Sequence, residues 1–556
     1  MIFRAARFLG REIDGLHAAA YVLGVSAFTS SMLALFRDRL FANAFGAGET
    51  LDVYYAAFRI PDLIFVLIAS LFSAYALIPM LSREDESGRW RYIDTVVFGF
   101  GGVMIAISAV AYILMPYIMP VLFPKLVVSN SAPDLVLLSR ILLIQPMLLG
   151  FSNILAAITQ TYRQYLLYAV APVLYNIGII FGLVLLYPMM GVTGLVWGVV
   201  FGALLHALIQ LPGTMTHGFF IRMPRMGDAS KLWETLTLSL PRTLALGMTQ
   251  IVQSGTIIIA GLLNSGSIAV FTFAFNLQAV PLAVIGASYS VAAFPTLTKM
   301  ISEGNTELFV KQVVTASRHI LFWSMPAVAL MIVLRAHIVR VILGSGRFDW
   351  TDTRLTAASF AFLSLSLAAS ALTLLIIRAY YAAGRSYLPL AVSLVSGGGT
   401  LGLIVILLYT QPPAVLLFIE SLLRVEDVPG TTMLLLPFVS SLSAIGGCIA
   451  FVCLFERHFG GFVKGIARIF WESLTAAGIG GMAAYAVLAY LGGIGPATTT
   501  FATIMHGMAG GLAGVFATGM VYGFFRSPEL VETVITLTRK VKIIAPVQST
   551  EESITT

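Results

Sequence analysis

Apolar runs of about twenty residues recur along this whole chain, and the connections between them alternate between basic and poor in Lys and Arg. Lys125, Arg347, Arg354 and Arg424 are exceptions. A run of that length crosses the hydrocarbon core as a helix, which satisfies its backbone donors and acceptors within itself. Such spans are expected near 21–45, 53–81, 93–122, 134–161, 165–187, 190–213, 233–263, 268–298, 312–342, 353–382, 388–410, 431–455, 471–491 and 500–525. Charged residues are only 11% of the 556, against about 25% in soluble domains. The expected fold class is an all-α polytopic membrane protein with about fourteen transmembrane helices.

The connections 45–52, 187–190, 264–267 and 491–499 contain no Lys or Arg. Their alternates carry Arg83, Arg89 and Arg91, then Arg163, then Arg222, Arg225 and Lys231, then Lys299 and Lys311, Arg385, and finally Arg457, Lys464 and Arg468. Cationic connections stay in the cytoplasm, so both termini are expected there. The net charge of +7 is thus a topology signal and gives no ground for a nucleic-acid partner. Arg4, Arg7 and Arg11 among apolar neighbours suggest a short interfacial segment over 1–20.

An internal repeat adds organisation. Ala57-Phe58-Arg59 lies about twenty residues before Ile78-Pro79-Met80-Leu81-Ser82-Arg83, and Ala274-Phe275-Asn276 about twenty before Phe294-Pro295-Thr296-Leu297-Thr298-Lys299. Tyr162-Arg163-Gln164-Tyr165 likewise matches Gly384-Arg385-Ser386-Tyr387. Six helices separate the copies, and an even number leaves both in the same orientation, so the repeats are parallel. This predicts an N-terminal six-helix lobe over 21–215, a linker over 216–232 and a second lobe over 233–455. Helices 13 and 14 then occupy 456–526 and a tail 527–556. Overlapping GxxxG spacings in helix 14 predict close helix packing, and residues 411–430 predict an amphipathic helix on the outer surface.

No GxxxxGK[ST] or HExxH occurs and the seven histidines are dispersed, so no nucleotide site, metal, cofactor or catalytic centre is expected. Membrane potential or an ion gradient remains as the energy source, with any coupling ion left open. What stands out is polar residues where hydrocarbon should be, each costing about 2.5–3.5 kcal/mol at mid-membrane. In helix 1 these are Arg37, Asp38 and Arg39, and on helical spacing the two arginines face different ways. Helix 2 opens with Asp52 and carries Arg59, on the same helical face, and Asp62 around Pro61. Arg140 and Gln145 in helix 4, Arg242, Gln250 and Gln253 in helix 7, Asn276 in helix 8 and Arg378 in helix 10 complete the set. Arg37, Asp52, Arg59 and Arg378 are the candidate substrate ligands; Asp38, Arg39, Asp62, Arg242 and Asn276 are candidate supports. Guanidinium forks match phosphate oxygens, so the expected ligand is anionic.

The segments Phe36-Arg37-Asp38, Phe45-Gly46-Ala47-Gly48, Asp52 and Ala57-Phe58-Arg59-Ile60-Pro61-Asp62, with Gly346-Arg347-Phe348 and Arg378-Ala379-Tyr380-Tyr381-Ala382, resemble the MurJ (MviN) family of lipid II flippases in the MOP superfamily. The resemblance implies alternating access in a bacterial inner membrane, a cationic cavity for a lipid-linked anionic precursor, and a lipid-tail groove at helices 13 and 14. It also implies functional importance for Arg37 and Asp52. Ser31 and Asn276 stand where the family usually has arginines, which leaves the lipid-linked glycan unspecified. An ion-coupled solute or drug exporter, or a scaffold without transport, are the alternatives.

Overall fold

The computed structural model describes residues 16–72, 77–78, 80–81, 85–128, 131–216, 229–496 and 498–535. Much of the expected N-terminal segment, linker and tail (1–15, 217–228 and 536–556) lies outside them, as do Arg83, Arg222 and Arg225. Every regular element among the described residues is helical. Helix α1 is Leu16–Phe45, followed by α2 (Glu49–Phe72), α3 (Gly88–Leu122), α4 (Ala132–Thr161), α5 (Tyr165–Met190) and α6 (Val192–Met215). Helix α7 is Ala229–Ala260, followed by α8 (Ser267–Ser302) and α9 (Thr306–Val333). The pair Trp350–Leu365 and Leu367–Ala382, bent by 43°, forms α10. Then come α11 (Tyr387–Thr410), α12 (Thr431–Phe459), α13 (Phe462–Leu491) and α14 (Thr500–Phe525).

Length and composition qualify 11 of these as membrane spans, or 12 with α10 counted as one. Helices α1 and α7 stand outside that count, and fourteen is reached only by adding them. Both are long enough, at 30 and 32 residues.

Proline explains several irregularities. Helix α2 breaks at Phe58, three residues before Pro61, whose ring crowds the carbonyl one turn back. Helix α8 widens into a π-helical stretch over Leu282–Ala287 directly after Pro281. Helix α4 breaks at Leu143 and α10 at Ser366, corresponding places in the two repeats.

In the first lobe α1 packs on α5, α5 on α6 and α6 on α4; in the second α7 packs on α11, α11 on α12 and α8 on α10. Helices α13 and α14 pack together, with α13 also on α9. The lobes meet where α2 runs along α7 and where the first half of α2 meets α8.

Helices α5 and α6 approach each other closely along their backbones. A Cβ added to Gly178 would fall 2.2 Å from Gly202 Cα, and one on Gly182 would fall 2.5 Å from Gly198 Cα. Small residues one turn apart let two membrane helices touch along their backbones, where van der Waals contact replaces the missing hydrophobic drive. Gly198→Leu should therefore destabilise the fold by about 3 kcal/mol or more. Its thermal midpoint in detergent should fall clearly. Gly101→Leu, at a position with open space around it, should leave the midpoint unchanged.

In α14 the glycines divide between two neighbours: Gly510 and Gly514 face α13, while Gly507 lies against His337. The expected surface helix in 411–430 is Pro413–Leu423. It is apolar on two sides rather than one: Ile419 and Leu423 are buried, while Leu417, Phe418 and Leu422 are more than half exposed.

Candidate substrate site and the contact between lobes

Arg37 lies on α1 facing α5. Its Nε and Nη2 donate to Asp38 Oδ1 at 3.0 and 2.8 Å, and its Nη1 donates to Asn176 Oδ1 of α5 at 3.0 Å. Asn176 is held in turn by Ser30 Oγ and the Pro172 carbonyl. The other oxygen of Asp38 accepts from Asn276 Nδ2 of α8 at 2.8 Å. One carboxylate thus joins a guanidinium of the first lobe to an amide of the second. Asp38 is 2% exposed, and a buried carboxylate is tolerable only when so surrounded.

Arg39 takes a different partner, as its position on the helix requires. Its Nη1 donates to the Val341 carbonyl at 2.5 Å and to that of Ile342 at 3.3 Å. These are the last carbonyls of the short helix Arg335–Ile342, where a cation suits the helix dipole. Arg39 is therefore a tie between lobes rather than a side chain extended to the membrane surface.

Asp52 also departs from expectation. It is 3% exposed, with Oδ2 accepting from Gly266 N at 2.6 Å and Oδ1 from Ala269 N at 2.9 Å. It therefore caps the N-terminus of α8, in the other lobe, with both oxygens engaged by backbone N–H groups in this conformation. Around it the backbones interlock. The φ of Gly266 is +88°, and a Cβ there would sit 2.0 Å from the Ala47 carbonyl oxygen; one on Gly346, at φ +59°, would sit 2.3 Å from that of Asn43. Arg347 N donates to Asn43 O at 3.0 Å, and Ala47 N to Asp352 Oδ2 at 3.0 Å. This end of the lobe contact is a hydrogen-bonded latch that only glycine can fit.

Further along α2, Arg59 is 8% exposed. Its Nε donates to the Tyr55 carbonyl at 3.1 Å, close to the helix break, and its Nη2 lies 3.5 Å from Asp62 Oδ2. Neither terminal nitrogen donates a hydrogen bond within the described residues, whereas all three nitrogens of Arg37 donate. The break at Phe58 separates the helical turns of Asp52 and Arg59, so their common face is not continuous. Beyond Arg59 the lobes touch again: Ser70 Oγ is 3.2 Å from Thr243 Oγ1, and Tyr92 OH is 2.6 Å from Thr235 Oγ1. Along α2 the order is latch, Arg59 with Asp62, then this second contact.

Arg378 is half-buried on α10. The side chain of Arg242 lies outside the described residues. The sequence reading gave no site role to Asn176, Gly266 or Asp352, and named Arg347 only as a loop cation and within the motif Gly346-Arg347-Phe348. No group of three metal-ligating side chains occurs among the described residues.

Apolar helices of membrane-spanning length packed around buried charges define an all-helical polytopic membrane fold. The family model described as lipid II flippase MurJ matches residues 41–493, and the chain belongs to that family. The probable lipid II flippase MurJ of Rhizobium tropici is 26% identical over 378 residues, covering 65% of this chain and 69% of that protein. That of Bdellovibrio bacteriovorus is 26% identical over 394 residues, covering 68% and 74%. A solved structure of lipid II flippase MurJ in an inward closed conformation superposes with a TM-score of 0.72 at 18% identity, covering 91% of this chain and 99% of that one. An inward-facing multidrug resistance MATE family transporter of the MOP superfamily gives 0.60 at 15%, covering 79% and 94%.

Proposed function

We propose that the chain flips a lipid-linked, pyrophosphate-bearing cell-wall precursor of the lipid II type from the inner to the outer leaflet of a bacterial inner membrane. The Lys and Arg asymmetry supports placing both termini in the cytoplasm, with the Asp52 latch at the outer face. The lobes 21–215 and 233–455 are the bodies that rock.

The observation that carries the mechanism is the double role of Asp38. Its Oδ1 neutralises Arg37 and its Oδ2 holds Asn276 of the opposite lobe. A phosphate has the same forked geometry as that carboxylate and competes for the guanidinium. Arg59, whose terminal nitrogens make only the 3.5 Å ion pair with Asp62, is the first contact for the incoming anion, and Arg37 the second. When phosphate takes Arg37, Asp38 loses its counter-cation and the tie to Asn276 is reorganised. Substrate binding thereby biases the contact between lobes, as a ligand must if it is to shift a conformational equilibrium. The groove between α13 and α14, about 420 Å³ and lined by Ile479, Met520, Val521 and Phe524, is apolar and suits the lipid tail.

The test is expression of this chain in bacteria depleted of their own flippase, scoring precursor accessible to an external probe. Restored accessibility is expected. Efflux of solutes or drugs without restored accessibility would favour the exporter reading.

A further inference from the structure

One chamber belongs to neither the charged cluster nor the α13–α14 groove. It has a volume of about 290 Å³ and is lined by residues of α7, α8, α10, α11 and α12. That is the lower end of the range for small-ligand sites, roughly 300–1,000 Å³. Thr249 and Gln253 of α7, Ser393 and Ser396 of α11 and Ser443 of α12 line it, and no charged residue does. Thr249 is exposed and Gln253 half-buried, so the chamber is open to entry rather than sealed. It stands next to the lobe contact: a Cβ on Gly247, adjacent to lining residue Met248, would lie 2.7 Å from Leu67 of α2.

Part of the polar lining is satisfied internally. Ser443 Oγ lies 2.5 Å from Thr400 Oγ1 and donates to the Ser396 carbonyl at 3.2 Å. The Gln253 amide and the hydroxyls of Thr249, Ser393 and Ser396 make no hydrogen bond with any described residue. Four uncharged polar groups converging on one accessible space give it a polar rim able to hydrogen-bond a polar occupant. The amide both donates and accepts, as does each hydroxyl, and there is no net charge. On one side Phe271 and Phe275 present an apolar wall, their rings stacked at 6.4 Å with 19° between planes.

We propose that this chamber binds a single uncharged sugar ring. A sugar matches it in kind: hydroxyls that each donate and accept around the rim, and a face of C–H groups for the phenylalanine wall. The source of the ring is either the glycan of the transported lipid, which rests on the flippase reading, or a free sugar, which does not.

The purified full chain in phosphatidylcholine nanodiscs is titrated by equilibrium dialysis with N-acetylglucosamine and, separately, with the same sugar joined through pyrophosphate to a short soluble prenyl chain. Saturable binding of N-acetylglucosamine is expected, weakened about tenfold by Gln253→Leu and several-fold by Thr249→Val, which keeps the side-chain shape. Thermal midpoints of both variants report folding. Tighter binding of the pyrophosphate-linked sugar, losing its advantage in Arg37→Ala, assigns the ring to the cargo; equal binding of the two assigns it to a free sugar. Absence of saturable binding by the wild-type chain, or binding untouched by both substitutions in folded protein, overturns the site. Saturable sodium binding that both substitutions abolish, with no sugar bound, overturns it as well. Sugar binding in a chain that does not restore precursor accessibility would overturn the flippase reading and leave the site standing.

Discussion

Replacing Asp52 with alanine should open the latch. Two hydrogen bonds from backbone N–H groups to a carboxylate are removed, and such bonds are worth about 1.5–3 kcal/mol each. Even a net loss near 3 kcal/mol moves a two-state equilibrium by roughly a hundredfold. The effect falls on the closed state alone, because Gly266 N and Ala269 N can turn to water once the lobes part. A disulfide between Ala47→Cys and Ser265→Cys reads the closed population directly. Its yield should drop sharply in the Asp52→Ala background, and precursor translocation should fall with it. Asp52→Asn keeps one acceptor and should recover part of both. Unchanged cross-linking with normal translocation would show that the glycine interlock closes this end without the carboxylate. Gly266→Ala tests that interlock separately, since the 2.0 Å approach to Ala47 O admits no Cβ.

The second large effect is expected at Arg37. Arg37→Ala removes the phosphate fork and strips Asp38 of its counter-cation, and breaking a buried pair from one side costs about 3–5 kcal/mol. Translocation should fall at least tenfold at normal protein level. Arg37→Lys retains the charge without the planar fork and should recover only a fraction. The double variant Arg37→Ala with Asp38→Asn separates the two roles. If the loss in Arg37→Ala comes only from stranding Asp38, the double variant regains translocation. If Arg37 binds the anion, it does not. Full complementation by Arg37→Ala would remove Arg37 from the mechanism altogether.

The difference between the two arginines of α1 shows what residue spacing can and cannot carry. Their separation on the helix required different partners, and they have them: Asp38 with Asn176 for Arg37, two carbonyls at a helix end for Arg39. The spacing did not contain the identity of those partners, because Asn176 and Val341 come from distant stretches of chain. Asp52 makes the point more strongly. In the sequence it was an acid at the start of a membrane helix, as suited to a ligand as to a cap. Only the arrival of Gly266 and Ala269 from the other lobe made it a cap.

What the sequence determined by itself was the material of the fold. Apolar run length set helices across a membrane, because backbone groups in lipid have no other partner. Repeated turns and Ala-Phe motifs set two parallel lobes, and prolines set where α2 and α8 depart from regular helix. The family resemblance carried by the α1–α2 segment pointed to the class of transporter. The tertiary structure decided what helical periodicity does not encode. It placed α5 against α6 through Gly178, Gly182, Gly198 and Gly202, a contact visible only once both faces are known. It turned Asp38 into a bridge, Asp52 into a latch, and Arg59 into the ion-pair partner of Asp62. It also gathered uncharged residues from α7, α11 and α12, unremarkable one by one, around a common space. The reason is physical: a charge or hydroxyl inside a membrane acquires its role from what it meets across the helix interface, and that meeting is fixed by packing over hundreds of residues of chain.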